Sequence, residues 1–264
     1  MTNTSTSLVL VGSGIKFIAH LTHEAKAYIQ QADIVLYLVN DPAMKKWLQK
    51  ANAHTESLDP LYMRYPLRID CYRAITSYIL EILRKNQHVC VVLYGHPSVF
   101  SKPGLDAVIQ AKREGFYAKI LPGISAEACL FADLLIDPGT YGCQSFETTD
   151  LLIHRRQVDN HCHLILWQVD IIGVLENPEI HDNRLGAKIL LDYLKQYYNL
   201  DHEVVLYEAA QYPGFEPRID RLILEQLPDA TFSRLSTLYI PPAHKAHCDT
   251  AVLKTLNINI DQLK

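Results

Sequence analysis

The run Val89-Cys90-Val91-Val92-Leu93 constrains this chain more than any other feature. Five consecutive apolar residues, three of them β-branched, read as a strand covered on both faces, and such a strand needs a layer of helix on either side of its sheet. The neighbouring segments supply those layers. Residues 7–11 and 34–38 are short apolar runs of the same kind. Helical patterns stand between and around them, at residues 22–32, at a short helix opened by Asp41-Pro42, and at residues 102–114. Short β-branched runs alternating with helices predict βαβ units and a mainly parallel sheet.

The longest helical pattern begins near Pro66 and runs to about Lys85, with Ile75, Ile79, Ile82 and Leu83 forming its apolar stripe. Steps of three and four residues backwards place Tyr72 and Arg68 on that same inward face. A strand at 118–120 and the turn Pro122-Gly123-Ile124-Ser125-Ala126 follow, leading into an apolar helix that ends near Leu135. The second half predicts strands at 163–167, 203–207 and 236–240 and a helix at 185–198, a mixed α/β pattern. This organisation gives an N-terminal α/β domain over 7–121, a second over 122–243 and a short tail over 244–264.

Composition excludes several classes of protein. With 48% hydrophobic residues and no apolar run near the ~20 residues of a membrane span, the chain reads as a globular protein without a membrane segment. Its N-terminus lacks the basic-then-apolar pattern of a secretory signal, so the expected compartment is the cytoplasm. A net charge of −4 with scattered Lys and Arg lacks the footprint of a nucleic-acid binder. Six cysteines, none at C-x-x-C spacing, predict free thiols rather than a disulfide framework.

Two strand ends carry glycine. Gly12-Ser13-Gly14 starts like a dinucleotide fingerprint, but Ile15-Lys16-Phe17 stands where a third glycine belongs, so the reading is a tight turn. The loop Tyr94-Gly95-His96-Pro97-Ser98-Val99-Phe100 leaves the doubly covered strand at its carboxyl end, where ligands bind in open α/β sheets. His96 has no partner at metal spacing and reads as loop wall. His161 with His163, predicted to alternate on a strand, and His244 with His247 and Cys248 have ligand-like spacing, yet packed or solvated side chains explain them more simply. No metal site is predicted.

Taken together and in order, Gly12-Ser13-Gly14, His20-Leu21-Thr22 with Ala25, Ala32-Asp33-Val35-Tyr37, Tyr94-Gly95-His96-Pro97 and Pro122-Gly123-Ile124-Ser125-Ala126 resemble the tetrapyrrole methylase family over nearly the whole chain. The resemblance implies a two-domain α/β fold with a mainly parallel N-terminal sheet, a mixed C-terminal sheet and S-adenosylmethionine in the cleft between them. It also implies S-adenosylhomocysteine as product and a homodimeric enzyme. It places Tyr94, His96, Pro97, Val99, Phe100, Ser125 and Ala126 around the methionine side of the cofactor, and Gln168, Tyr207, Ser236 and Thr237 around the adenosine. One departure bears on the substrate: Gly14-Ile15-Lys16-Phe17 lacks the proline usual in corrin and sirohaem enzymes.

The segment from Tyr62 to Tyr72, with Arg68 between them, joined to Tyr94-Gly95-His96-Pro97, resembles the borosin peptide backbone α-N-methyltransferases, and among them the bacterial split type. That resemblance implies a main-chain amide of a ribosomally made precursor as methyl acceptor. Since the chain stops soon after Ser236 to Pro242, the expectation is a separate precursor peptide acted on in trans. It assigns chemistry to Tyr62, Arg68, Tyr72 and Tyr94. Arg68 would favour the Tyr72 phenolate as base or base relay, while Tyr62 with Arg68 stabilises charge on the amide oxygen. A tetrapyrrole C-methyltransferase and a catalytically silent peptide-binding module are the alternatives.

Overall fold

A computed structural model of the chain describes residues 6–85, 87–176 and 182–263. The chain divides into two compact units that interleave along the sequence. The first is Met1–Ile136 with Gly173–Asp182 and Tyr207–Ile219; the second is Asp137–Ile172 with Asn183–Leu206 and Asp220–Lys264.

In the first unit the order is β1 (Ser7–Gly12), α1 (His23–Gln31), β2 (Ile34–Leu38), α2 (Pro42–Ala51), β3 (Thr55–Ser57), α3 (Asp59–Tyr62), α4 (Arg68–Leu83), β4 (His88–Leu93), α5 (Lys102–Arg113), β5 (Tyr117–Ile120) and α6 (Ala126–Asp133). The strands form one sheet in the order β3-β2-β4-β1-β5, and every pairing in it is parallel. Alternate residues serve opposite faces. Leu8, Leu10, Leu36, Val89, Val91 and Leu93 pack with Ile75, Ile79 and Leu83 of α4 and Ala107 and Ala111 of α5. On the other face, Val9, Val11, Val35, Tyr37, Cys90 and Val92 pack with Ala25 and Ile29 of α1 and Met44 and Leu48 of α2. This is the doubly covered sheet that the apolar run at Val89 predicted, and its period of two explains why each strand feeds two separate cores.

Helix starts follow local chemistry. Thr22 accepts the amide of Ala25 at 3.1 Å and caps α1, and Asp41 accepts the amides of Ala43 and Met44 ahead of α2. The N-cap of α4 is Leu67, which has no side-chain oxygen to offer. That helix begins at Arg68, two residues later than the sequence pattern suggests.

The later elements are α7 (Pro138–Tyr141), β6 (Cys143–Glu147), α8 (Thr148–Ile153), β7 (His163–Trp167), α9 (Arg184–Leu194), β8 (Glu203–Glu208), β9 (Arg218–Ile223), β10 (Thr237–Ile240) and α10 (Thr250–Thr255), all of the second unit except Tyr207 and Glu208 of β8 and Arg218 and Ile219 of β9. Their sheet, β6-β7-β10-β8-β9, is mixed: β6 runs parallel to β7, and β10 is antiparallel to β7. The core beneath it gathers Leu164, Leu166, Leu190, Leu194, Val204, Leu206, Leu238 and Ile240. Among the described residues, no helix is long and apolar enough to cross a membrane.

Candidate active site

Strands β1 and β4 are neighbours, but the chain leaves them in opposite directions, β1 toward the α1 face and β4 toward the α5 face. Such a switch in direction opens a crevice at the carboxyl ends of the two strands. The loops there are locked by main chain. Ser13 N–H donates to the Leu93 carbonyl at 2.8 Å, and Gly14 and Gly95 exchange both of their backbone hydrogen bonds at 3.2 Å. A methyl group on Gly12 would lie 2.1 Å from the Gly95 oxygen and 2.9 Å from Pro97 Cδ, so only glycine permits this approach. Gly123, in the turn after β5, rests on the same atoms from the other side.

Amides at the mouth of this crevice are already spoken for. Ile15 and Lys16 donate to His20 Nδ1 at 3.4 and 3.1 Å, and Phe17 donates to the Gln211 carbonyl at 2.8 Å. Burial, with Lys16 nearby, lowers the affinity of His20 for a second proton, in keeping with a neutral acceptor. Residues 13–17 therefore keep no backbone N–H for a pyrophosphate, which is the physical form of the missing third glycine. What remains open is apolar. Val99 and Phe100 are exposed, the latter at φ +51°. His96 Nδ1 is occupied by the Ser98 amide at 3.2 Å and hydroxyl at 2.9 Å, while Gly95 and Pro97 are buried. Ser125 caps α6 through the Ala128 amide at 3.1 Å, so Ala126 opens a helix whose first amides lack helical partners. A small ligand without phosphate, part apolar and with a carboxylate for the α6 amides, suits this set.

Tyr94 is half-buried. Its hydroxyl donates to Gln211 Oε1 at 3.0 Å, and burial raises its pKa. Tyr207 lies in the same unit with its ring fully enclosed and its hydroxyl donating to Asp133 at 2.6 Å; burial and that carboxylate push its pKa far up. Gln211 and Asp133 did not stand out in the sequence. Gln211 binds Tyr94 through its side chain and Phe17 through its carbonyl, so one residue ties the loops after β1 and β4 together.

A second cluster sits where α3 meets α4. The rings of Tyr62 and Tyr72 lie 6.1 Å apart at 37°, and Tyr62 acts on the Tyr72 phenol in the sense that keeps its proton in place. Arg68 is one turn before Tyr72. Neither Arg68 nor Tyr72 belongs to the fully buried stripe, which continues from Ile75 to Cys71 instead. Both are half-buried beside it, because the helical steps that place them inward turn toward the end of the core where the chain enters the helix. The guanidinium of Arg68 donates to the main-chain carbonyl of Val174, the Arg68 amide donates to the Leu175 carbonyl at 3.1 Å, and Leu67 pairs with Glu176 as an antiparallel bridge.

The expected influence of Arg68 on Tyr72 requires correction. Tyr72 is pushed up to about 12, first by burial and then by Tyr62. Arg68 acts downward, as its charge dictates, but the first two effects outweigh it. In this state Tyr72 is a phenol and not a phenolate.

Gln168, Ser236 and Thr237 belong to the second unit. Extending the β7–β10 register by two residues sets Ser236 opposite Gln168 and Thr237 opposite Trp167. Ser236 and Thr237 are buried, and Gln168 sits at φ +58°, uncommon for a residue other than glycine. In the same unit His163 hydrogen bonds to Tyr239 at 2.7 Å. His161 lies before β7 rather than on it and pairs with Asp159 at 2.9 Å, so the predicted alternation of the two histidines along a strand does not form. Among the described residues, no group of three or more His, Cys, Asp or Glu side chains is arranged to hold a metal ion.

Comparison with known proteins gives a consistent setting. Residues 7–222 match the family described as Tetrapyrrole (Corrin/Porphyrin) Methylases. The chain is 40% identical over 256 residues to a methyltransferase/ribosomally synthesized cyclic peptide gymnopeptides precursor of Gymnopus fusipes, covering 96% of this chain and 61% of that protein. It is 38% identical over 260 residues to a methyltransferase/ribosomally synthesized type I borosin cyclic peptide precursor of Coprinopsis marcescibilis, covering 95% and 66%. The chain thus spans less than two thirds of the length of these relatives. In fold it resembles a uroporphyrin-III C-methyl transferase from Thermus thermophilus complexed with S-adenyl homocysteine, with a TM-score of 0.60 at 17% identity over 89% of this chain and 92% of that one.

Proposed function

Because the chain belongs to the tetrapyrrole methylase family, we propose that it is an S-adenosylmethionine-dependent methyltransferase whose acceptor is a main-chain amide nitrogen of a precursor peptide. The observation that carries this reading is the packed pair of phenols Tyr62 and Tyr72 beside Arg68, a guanidinium that holds a main-chain carbonyl. The relatives' names, which join a methyltransferase to a cyclic peptide precursor, support it. The precursor is proposed to be a separate polypeptide and the enzyme a homodimer, both as the family resemblance implies.

An amide nitrogen is a poor nucleophile because its lone pair is delocalised into the carbonyl. Arg68 counters this at the oxygen, where its charge favours the imidate form and acidifies the N–H. The proton then needs a route. Tyr72 donates its own proton toward Tyr62, which leaves a lone pair on its oxygen for an incoming N–H. As the amide N–H breaks, an O–H forms on Tyr72, the former Tyr72 proton passes to Tyr62, and one proton leaves Tyr62 for water. Ionisation of the pair readies this relay: once Tyr62 has lost its proton to water, the oxygen of a phenol held at about 12 is the strong base that an amide proton requires.

S-adenosylmethionine, when bound, supplies an electrophilic methyl group. Val99 and Phe100 offer it apolar surface, Ser125 and Ala126 open a helix whose amides suit a carboxylate, and Tyr94, His96 and Pro97 shape the wall. Gln168, Ser236, Thr237 and Tyr207 are proposed for the adenosine, Tyr207 as a buried brace.

The test is mass spectrometry of a precursor peptide incubated with the chain and S-adenosylmethionine. Gains of one CH2 per event on backbone amides are expected. Methylation of a porphyrinoid with the peptide untouched replaces this reading with the tetrapyrrole C-methyltransferase. Peptide binding with no S-adenosylhomocysteine formed replaces it with the silent binding module.

A further inference from the structure

The N-terminal edge of α4 is held in an unusual way. Leu67 cannot cap the helix, and the segment from Val174 to Glu176 does so in its place, entirely through main chain. The Leu175 carbonyl takes the Arg68 amide, the Val174 carbonyl takes the Arg68 guanidinium, and Glu176 faces Leu67 across a single antiparallel bridge. The side chains of this segment contribute little. Leu175 is 67% exposed and Leu67 41% exposed, and Glu176 is exposed too. An extended segment is thus gripped by its carbonyls, with Leu175 and Glu176 left in water and Val174 half-buried, which is recognition by strand addition with little sequence preference.

We infer that Leu67–Arg68 is a docking ledge for an extended peptide main chain, and that Val174–Glu176 is the chain's own occupant, displaced when an acceptor peptide binds. The inference rests on the function proposed above. It identifies the feature read at Arg68 as a main-chain carbonyl, whatever residue carries it, and it assigns the chain a self-occupied resting state. The exchange is balanced in hydrogen bonds: an incoming carbonyl takes the guanidinium that Val174 releases, and a second takes the Arg68 amide that Leu175 releases. Side chains set only how readily the internal segment leaves. With few buried contacts, such a segment belongs to the low-stability end of a fold.

The register supplies the test. Because the bridge is flanked by the Arg68–Leu175 hydrogen bond, Leu67 and Glu176 form the closer, non-hydrogen-bonded type of antiparallel pair, which suits a disulfide. The double variant Leu67→Cys with Glu176→Cys, its new bond confirmed by peptide mapping, locks the occupant in place when oxidised. Expected is a loss of at least tenfold in precursor-peptide affinity, read by fluorescence anisotropy without cofactor, with a parallel loss of methylation. Thiol reductant should restore both, and S-adenosylmethionine affinity should not change between the two forms. Oxidised protein that binds and methylates the peptide as well as the reduced form overturns the ledge while leaving the methyltransferase reading intact. A wild-type chain that neither binds nor methylates the precursor overturns both.

Discussion

The two candidate regions of the first unit are built on opposite principles. At the carboxyl ends of β1 and β4, geometry is set by main chain: Gly12 against Gly95, Gly14 bonded to Gly95, and Gly123 closing the same contact. Where α3 meets α4, it is set by side chains: two half-buried phenols, one guanidinium and a four-residue helix with no side-chain cap. Backbone hydrogen bonds of 2.8 and 3.2 Å with no space for a Cβ at Gly12 leave no room to adjust, whereas a cluster of side chains tolerates replacement while its chemistry changes. The first region is thus expected to fail by losing structure and the second by losing reactivity.

The largest expected effect tests that division. Tyr72→Phe removes the proton acceptor and should cut single-turnover methylation of the peptide by roughly a thousandfold, about 4 kcal/mol in barrier height. The same change removes one half-buried hydroxyl beside Tyr62, a cost of about 1 kcal/mol of stability at most. A barrier change several times the stability change, read from kinetics and urea denaturation on one sample, is the expected signature. Undiminished turnover removes Tyr72 from the proton route.

Gly12→Ala is the converse. Its methyl would stand 2.1 Å from the Gly95 oxygen, so the β1 and β4 loops must separate, and a loss of about 3 kcal/mol is expected from overpacking. Activity should fall in proportion to the folded fraction. Gly115→Ala is the control. Nothing lies within 4 Å of its added methyl, although its φ of +86° carries strain, and a cost of about 1 kcal/mol is expected. Equal costs at the two glycines would dissolve the contrast between a main-chain lock and an ordinary turn.

The same contrast explains what was legible in the sequence. The parts of the lock were legible because their causes are local. Val89 to Leu93 read as a doubly covered strand and Gly12 to Gly14 as a tight turn, although the approach of Gly12 to Gly95 emerges only in the fold. Strands β3, β6 and β9 were not legible, since Thr55–Ser57, Cys143–Glu147 and Arg218–Ile223 are partly polar and their pairing is decided by neighbours distant in sequence. The spacing of Tyr62, Arg68 and Tyr72 was readable, but their surroundings were not. Val174 lies 106 residues from Arg68 and Gln211 lies 117 from Tyr94, and no periodicity links them. The sign of the Tyr72 shift depended on burial, which spacing alone understates.

The smallest expected effect concerns that sign. Arg68 lowers the Tyr72 pKa, although burial and Tyr62 together hold it at about 12. Removing the guanidinium in Arg68→Ala must raise it further. The ascending limb of log rate against pH, extending past the ordinary tyrosine value near 10 in the wild type, should move to higher pH by less than about one unit. Stability follows the same direction. A phenol whose folded pKa exceeds its unfolded value contributes stability that is fully present below about pH 10 and is lost as pH rises through about 12. In Arg68→Ala the upper edge of that window moves up, so the alkaline destabilisation that Tyr72 contributes begins at the same pH but continues higher and grows, read as a difference between the Arg68→Ala and Arg68→Ala/Tyr72→Phe melting curves. A limb that moves to lower pH, or a rate that levels off near neutrality, as an imidazole base would give, places the proton on a different group and returns the side-chain cluster to a structural role.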